Sequence, residues 1–308
     1  SLGGGGGTAI GTAAMRALPV GFPKLMVSTL ASGNTAPYVG TQDIVMMPSI
    51  VDVSGLNQVS RMVFSRAAGA ICGMVESRVE EDSGRPIVVA SMFGNTTTLV
   101  SMARDLLEDA GYEVLVFHAT GTGGQTMESL IESGMVAGVL DVTTTEWADE
   151  LVGGVLSAGP DRLDAMSRAK VPAVIAPGCL DMINFGERDT VPPELEQRAI
   201  YEHNPQVTLV RTSVEECTDL GKILARKAKA NKAPTSILLP TRAISVISAE
   251  GEAFHDPAAD EALFDAIRQT AGVEVVELAV EINSEEFARA CVEKLLELMG
   301  QKGSSAAS

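Results

Sequence analysis

The sequence predicts an α/β protein built mainly from parallel strands, and three observations carry that expectation. Short β-branched runs alternate with amphipathic stretches almost to the C-terminus, which is the rhythm of βα units. The strand candidates PIVVASM and TSILLP are apolar on both faces, as strands are when helices cover a sheet on both sides. The turns that follow such runs are rich in Gly, Ser, Thr and Asn, the residues that end strands and open helices. A length of 308 residues fits two α/β domains at ~100–200 residues each.

In chain order, residues 24–29 and 44–47 read as strands and 59–74 as a helix of small residues. Between Met74 and Pro86 the composition shifts to MVESRVEEDSGRP, with Glu76, Glu80, Glu81 and Asp82 beside a Gly and a Pro. The domain boundary is placed there, giving a first domain over 1–80 and a second over 81–308. The first block is short for a doubly wound domain, and it opens on a glycine run whose natural place is just after a strand. It is therefore expected to lack its N-terminal strands. The second block reads as strand 87–92, helix 99–110, strand 113–119, helix 127–133 and strand 138–142. Further strands are expected at 173–176, 207–210, 236–239 and 273–278, and helices at 214–229, 260–270 and 284–298. The GSSAAS tail is expected to be loose.

Composition narrows the function classes. Apolar residues at 45% and charged residues at 20% supply a large core and argue against disorder. A net charge of −17 repels phosphate backbones and anionic lipid headgroups, and 4% aromatics leave no stacking platform for single-stranded bases. No direct nucleic-acid partner is expected, and any nucleotide should be small and locally cradled. Cys72, Cys179, Cys217 and Cys291 form no CxxC pair, which argues against a zinc ribbon or a dithiol site and favours a reducing compartment. No apolar run reaches the roughly 18 residues that span a bilayer, and the opening residues do not make a signal peptide. The expectation is a soluble, cytoplasmic protein with no membrane partner.

Four uncharged loops could hold an anion with main-chain N–H groups. Gly5, Gly6, Gly7 and Thr8 precede a small-residue helix, so exposed amides and the positive end of the helix dipole would meet there. The alternative is a linker or a tight turn packed on that helix. No Lys-Ser/Thr follows, so this is not a Walker loop, and the full dinucleotide fingerprint is missing as well. Ser32, Gly33, Asn34 and Thr35 form the second loop, Gly94, Asn95 and Thr96 with Thr97 the third, and Gly121, Gly123 and Gly124 the fourth. The last three follow strands, where open α/β sheets bind ligands. Each is also ordinary turn and capping chemistry.

Asp141 ends GVLD, where a carboxylate could accept from a sugar hydroxyl, hold Mg²⁺ through water or act as a base; it could equally cap the helix EWADELVGG. Asp181 lies in the turn PGCLDMINFG beside Cys179, which is either a small buried residue or a thiolate. Arg211, at the end of VTLVR, is either a ligand clamp or half of a buried salt bridge, and Arg242 is a second strand-end cation. His118 and His203 are the acid/base candidates, and three scattered histidines give no metal site.

The segments GGTAIGTAAMRALPVGFPKLMVSTLASGNTAPYVG, DIVMMPSIVDVSGLN, SMFGNTTT, GTGGQTMESL, DVTTTEWADELVGGVLSAGPDRL, PGCLDMINFG and HNPQVTLVRTS together resemble the Tm-1-like ATP-binding family, also called UPF0261. The resemblance covers nearly the whole chain. It implies two Rossmann-like α/β domains, ATP bound with Mg²⁺, a homodimer and a protein partner. It places ATP near Gly5, Gly6, Gly7, Thr8, Ser32, Gly33, Asn34 and Thr35. Two functional readings follow: an ATP-binding protein that acts on or senses a small anionic ligand, and a non-catalytic regulatory module whose nucleotide stabilises a homodimer.

Overall fold

The structure is a computed structural model that describes residues 1–78 and 84–300. Glu80, Glu81 and Asp82 of the expected boundary, and the GSSAAS tail, lie outside the described residues. The chain divides into two compact units, Ser1–Gly84 and Arg85–Ser308. No helix among the described residues is long and apolar enough to cross a membrane.

The first unit runs β1 (Leu2–Gly3), α1 (Gly5–Arg16), β2 (Leu25–Ser28), α2 (Ala36–Val39), β3 (Val45–Pro48) and α3 (Gln58–Glu76). Its strands form a parallel sheet in the order β1-β2-β3. Helix α3 starts where a capping box fixes it: the Asn57 carboxamide accepts from the N–H groups of Val59 and Ser60, and the Ser60 hydroxyl accepts from that of Asn57. Its apolar stripe, Val63 and Ala67, packs on Leu25 and Val27 of β2. The glycine run is only partly a loop. Gly3 belongs to β1, and Gly5, Gly6 and Gly7 make the first turn of α1. A Cβ on Gly3 would lie 2.7 Å from Cα of Gly7, so the helix presses directly on the strand that feeds it.

The second unit contains β4 (Ile87–Met92), α4 (Thr97–Asp109), β5 (Glu113–His118), α5 (Thr122–Glu132), β6 (Val136–Thr143), α6 (Glu146–Val152), α7 (Ala165–Ala169) and β7 (Ala173–Gly178). It continues through β8 (Met182–Phe185), β9 (Ile200–Asn204), β10 (Val207–Arg211), α8 (Val214–Ala230), β11 (Thr235–Pro240), α9 (Pro257–Thr270), β12 (Glu274–Leu278) and α10 (Glu285–Leu298). Six of these strands form one parallel sheet in the order β5-β4-β6-β7-β11-β12. Both faces are covered, as the two-sided apolar strands require. Met127 of α5, Leu220 and Leu224 of α8 and Leu263 of α9 fill one side, and Leu99 and Leu107 of α4 with Phe287 and Leu295 of α10 fill the other. The chain enters at β4, moves out to β5 and then returns past β4 to β6, so the winding reverses between β4 and β6. Ligands of doubly wound sheets bind at such a reversal.

One excursion departs from the expected alternation. Strand β10 is not part of the parallel sheet; it lies between β8 and β9 in a separate antiparallel sheet. His203 and Asn204, which precede that strand in the chain, are themselves in β9. Helix α5 begins at Thr122 rather than at 127, so Gly123 and Gly124 sit in its first turn and not in a free loop.

Candidate functional site

At the carboxyl edge of the first sheet, the start of α1, the chain after β2 and the chain after β3 come together by topology. Gly5, Gly6 and Gly7 are exposed, no side chain caps the helix, and Gly4 is the N-cap. The first amides of α1 therefore lack the side-chain acceptor that Ser, Thr, Asp or Asn would supply at an N-cap. A Cβ on Gly4 would stand 3.7 Å from Oγ1 of Thr29, which ties the glycines to the neighbouring cleft. That cleft, about 340 Å³, is lined by Thr29, Ser32, Ser49, Ile50 and Asp52 among others. Ile50 is held at φ +66° although it is β-branched and 74% exposed, a strained conformation that concentrates at functional loops. Gly33 is exposed, and Thr35 opens α2. The side-chain oxygen of Asn34 accepts from the Ala36 N–H, so it serves the local turn. Thr8 is withdrawn from the site: its hydroxyl is buried against Oγ of Ser28 at 2.6 Å.

The fourth loop is an anion cradle already filled by the protein. Oε1 of Glu146 accepts from the N–H groups of Gly121 at 2.7 Å and Gly124 at 3.1 Å. A Cβ on Gly124 would fall 2.2 Å from Oε2 of the same carboxylate, and one on Gly123 would fall 1.8 Å from the His118 carbonyl oxygen. These glycines are needed for internal packing and are not open to a ligand. The other oxygen of Glu146 receives Nε of Arg162 at 2.6 Å. The Arg162 guanidinium in turn binds both oxygens of Asp141, to which Ser91 also donates. Of the alternatives for Asp141, the structure shows a buried ion-pair partner. Arg162 also reaches Glu128 at 3.1 Å, and burial pushes the Glu128 carboxyl up against the pull of that arginine.

Arg211 resolves as the salt bridge. Its Nη2 meets Oδ1 of Asp260 at 2.5 Å, Nε donates to the Phe254 carbonyl at 3.0 Å, and Nη1 donates to the Thr212 hydroxyl at 2.9 Å. No free fork remains to clamp an anion. Asp181 is fully buried, accepts from Ser245 at 2.7 Å and is pushed up by that burial despite the nearby Arg211. Its Oδ1 is buried without a hydrogen-bond partner among the described residues. Cys179 is buried, with its thiol pushed well up by desolvation and by the Asp181 charge, so it is no thiolate. Arg242 is exposed after β11 and makes no ion pair among the described residues.

The structure does bring together the two histidine candidates. His118, Gly94, Asn95, His203, Asn204 and Leu156 line one cleft of about 300 Å³ at the carboxyl ends of β4 and β5. Thr96 does not reach it as a ligand group, because its hydroxyl is buried against Oγ1 of Thr143 at 2.8 Å. Sequence reasoning missed Arg162, which sits in an unremarkable GPDRL turn; nothing local marks it, and only the convergence of Glu128, Asp141 and Glu146 does. It also missed Ser49, Ile50 and Asp52, whose only signal was their place after a strand.

Comparison with known proteins gives the following. The profile described as the N-terminal domain of the uncharacterised protein family UPF0261 matches residues 1–80, and that of its C-terminal domain matches residues 85–299. A UPF0261 protein of Clostridium tetani is 52% identical over 97% of this chain and 75% of its own length. One from Mesorhizobium japonicum is 48% identical over 94% of this chain and 74% of its own length. The ToMV resistance protein Tm-1(GCR237) of Solanum lycopersicum is 43% identical over 96% of this chain, which spans 41% of that relative. Among solved structures, a thioesterase domain from the curacin biosynthetic pathway aligns over 69% of this chain and 91% of its own, at 12% identity and a TM-score of 0.34, a likeness that carries no argument.

Proposed function

The chain belongs to the UPF0261 family, and from that premise we propose that it binds ATP, with the phosphates at the carboxyl edge of the N-terminal sheet. The observation that carries this reading is the difference between two glycine sites. The amides of Gly121 and Gly124 are consumed by Glu146, whereas Gly5, Gly6 and Gly7 open a twelve-residue helix uncapped and exposed. A helix start of that kind favours phosphate through its N–H groups and dipole. The hydroxyls of Thr29 and Ser32 border the adjoining cleft and would supply neutral hydrogen bonds, while that of Ser49 donates to the Val51 carbonyl.

The residues present fit magnesium only as a passenger on the phosphates. No group of three or more metal-ligating side chains forms among the described residues, and Asp52 is the carboxylate that lines this cleft. Bound there, Mg²⁺ would neutralise phosphate charge. Asp141, buried and paired to Arg162, is not available to it.

Of the groups expected to grip a small anionic substrate, Thr96, Asp181, Arg211, Gly121, Gly123 and Gly124 are taken up inside the protein, whereas Gly94 and Asn95 line an uncharged cleft and Arg242 is exposed. That favours nucleotide binding without an assigned turnover, the regulatory reading, with a homodimer as its proposed assembly. Calorimetry and thermal shift with ATP and Mg²⁺, ADP and adenosine test it. ATP and ADP should bind, raise the melting temperature and lose affinity in Gly6→Asp, whereas any binding of adenosine, which brings no phosphate to α1, should be indifferent to that substitution. ATP that gives neither heat nor a shift would sink the proposal, and sustained ADP release in its presence would replace binding by catalysis.

A further inference from the structure

The cleft at the carboxyl ends of β4 and β5 has a chemistry of its own. Its volume of about 300 Å³ lies at the lower end of the range of small-molecule sites, roughly 300–1,000 Å³. Two flat rings form part of the lining: Phe93, just after β4, and His118, at the end of β5, stack with centroids 5.4 Å apart and planes inclined by 27°. Aliphatic surface comes from Leu156 and from Val207 and Leu209 at β10. No Asp, Glu, Lys or Arg lines it among the described residues, so a charged ligand would lose its hydration without gaining a counter-ion.

The polar groups present are of the donor-plus-acceptor kind. The Asn204 carboxamide oxygen accepts from the Gln206 N–H at 2.9 Å, which leaves its NH₂ to donate into the cleft region. Asn95 is the converse: its NH₂ is directed at the Met182 sulfur, 3.8 Å away, which leaves its oxygen as an acceptor. His118 and His203 add an imidazole each. The loop is held in place before any ligand arrives. Asn283 donates to the Asn95 carbonyl at 2.9 Å and accepts from the Leu99 N–H at 3.1 Å, while Thr96 is fixed to Thr143. Preorganisation of that kind lowers the entropy lost on binding.

We infer that this cleft binds an uncharged planar heteroaromatic ring, stacked on the Phe93–His118 pair and read along its edge by Asn95, Asn204 and His203. The ligand class differs from the phosphates proposed for the N-terminal unit, and the inference does not rest on that reading.

The chain has three histidines, which makes a direct test possible. His255 is elsewhere, with Nδ1 3.3 Å from the Ser248 carbonyl oxygen. The full chain, free of nucleotide, is titrated with lumichrome, an uncharged three-ring heteroaromatic probe, while the histidine ring resonances are followed by NMR. Saturable binding that moves the His118 and His203 signals and leaves His255 in place is expected. The exposed-residue double variant His118→Ala/His203→Ala should melt as the parent does and bind lumichrome at least tenfold more weakly. Absence of binding, or binding that moves neither ring, overturns the inference. So does 2-naphthoate binding as tightly as lumichrome, because a fixed negative charge should be rejected.

Discussion

Nη1 and Nη2 of Arg162 meet Oδ2 and Oδ1 of Asp141 at 2.5 and 2.8 Å, with both side chains 1% exposed. The same guanidinium continues to Glu146, and Glu146 to the amides of the 121–124 segment. A strand carboxylate, an arginine and a loop are thereby locked into one buried chain of charge-assisted hydrogen bonds. Its placement decides which polar residues remain for ligands.

Removing the arginine should show how much depends on it. Arg162→Met leaves buried carboxylates unpaired, and the expected loss of stability is about 3–5 kcal/mol. Urea unfolding of the variant beside the parent measures it. A midpoint that does not move would mean these carboxylates find another partner.

Two glycines of similar appearance in the sequence should respond differently. Gly124→Ala drives a Cβ to 2.2 Å from the Glu146 carboxylate and should cost about 1–3 kcal/mol. Gly94→Ala meets nothing within 4 Å and should stay within about 0.5 kcal/mol of the parent. Thermal melts of the pair decide the matter, and equal losses would contradict the packing described for α5.

A negative charge at the start of α1 separates helix stability from phosphate binding. Gly6 has open space around it, and an acid in the first helical turn gains about 0.3–1 kcal/mol from the dipole. Gly6→Asp should therefore leave the fold intact or firmer while weakening ATP by about tenfold or more, since each factor of ten is about 1.4 kcal/mol. Calorimetry on the variant checks it; unchanged ATP affinity would remove α1 from the site.

Arg211 should behave as a structural residue. Arg211→Ala strands the buried Asp260 carboxylate, and stability should fall by about 3–5 kcal/mol. Arg211→Lys should restore only part of that, because an ammonium cannot serve Asp260, Phe254 and Thr212 with one planar fork. Denaturation curves for the two variants report this directly, and a stable Arg211→Ala protein would return Arg211 to the list of ligand contacts.

Asp149 gives a pH dependence with a defined sign. It is buried beside Asn184, whose N–H and NH₂ both donate to it at 2.7 Å, and burial pushes its carboxyl up from 3.8 to about 7. The folded protein then holds a proton that the unfolded chain has already released, so this group's contribution is full below about pH 4 and is lost as pH rises towards 7. The slope is at most about 1.4 kcal/mol per pH unit. Asp260, pushed up to about 6 by burial, acts in the same direction. Unfolding free energies at pH 5, 6 and 7 should fall in the parent and fall less steeply in Asp149→Asn; parallel slopes would place the proton elsewhere.

The sequence by itself determined what depends on neighbouring residues along the chain. Two-faced apolar runs such as 87–92 and 235–240 became parallel strands because both of their faces need cover, and Ser213, Asp256 and Ser284 opened helices because their side chains satisfy nearby amides. Tertiary structure decided what each polar residue is for. Asp141, Arg211 and Gly124, for which alternatives were open, meet Arg162, Asp260 and Glu146, partners 21, 49 and 22 positions away in sequence. A charge or an amide is free for a ligand only when no distant group has already claimed it, and distance in space is not written in local pattern. For the same reason the meeting of His118 and His203 in one cleft depends on tertiary structure: the β9–β10 pair leaves the main sheet and carries His203 to it.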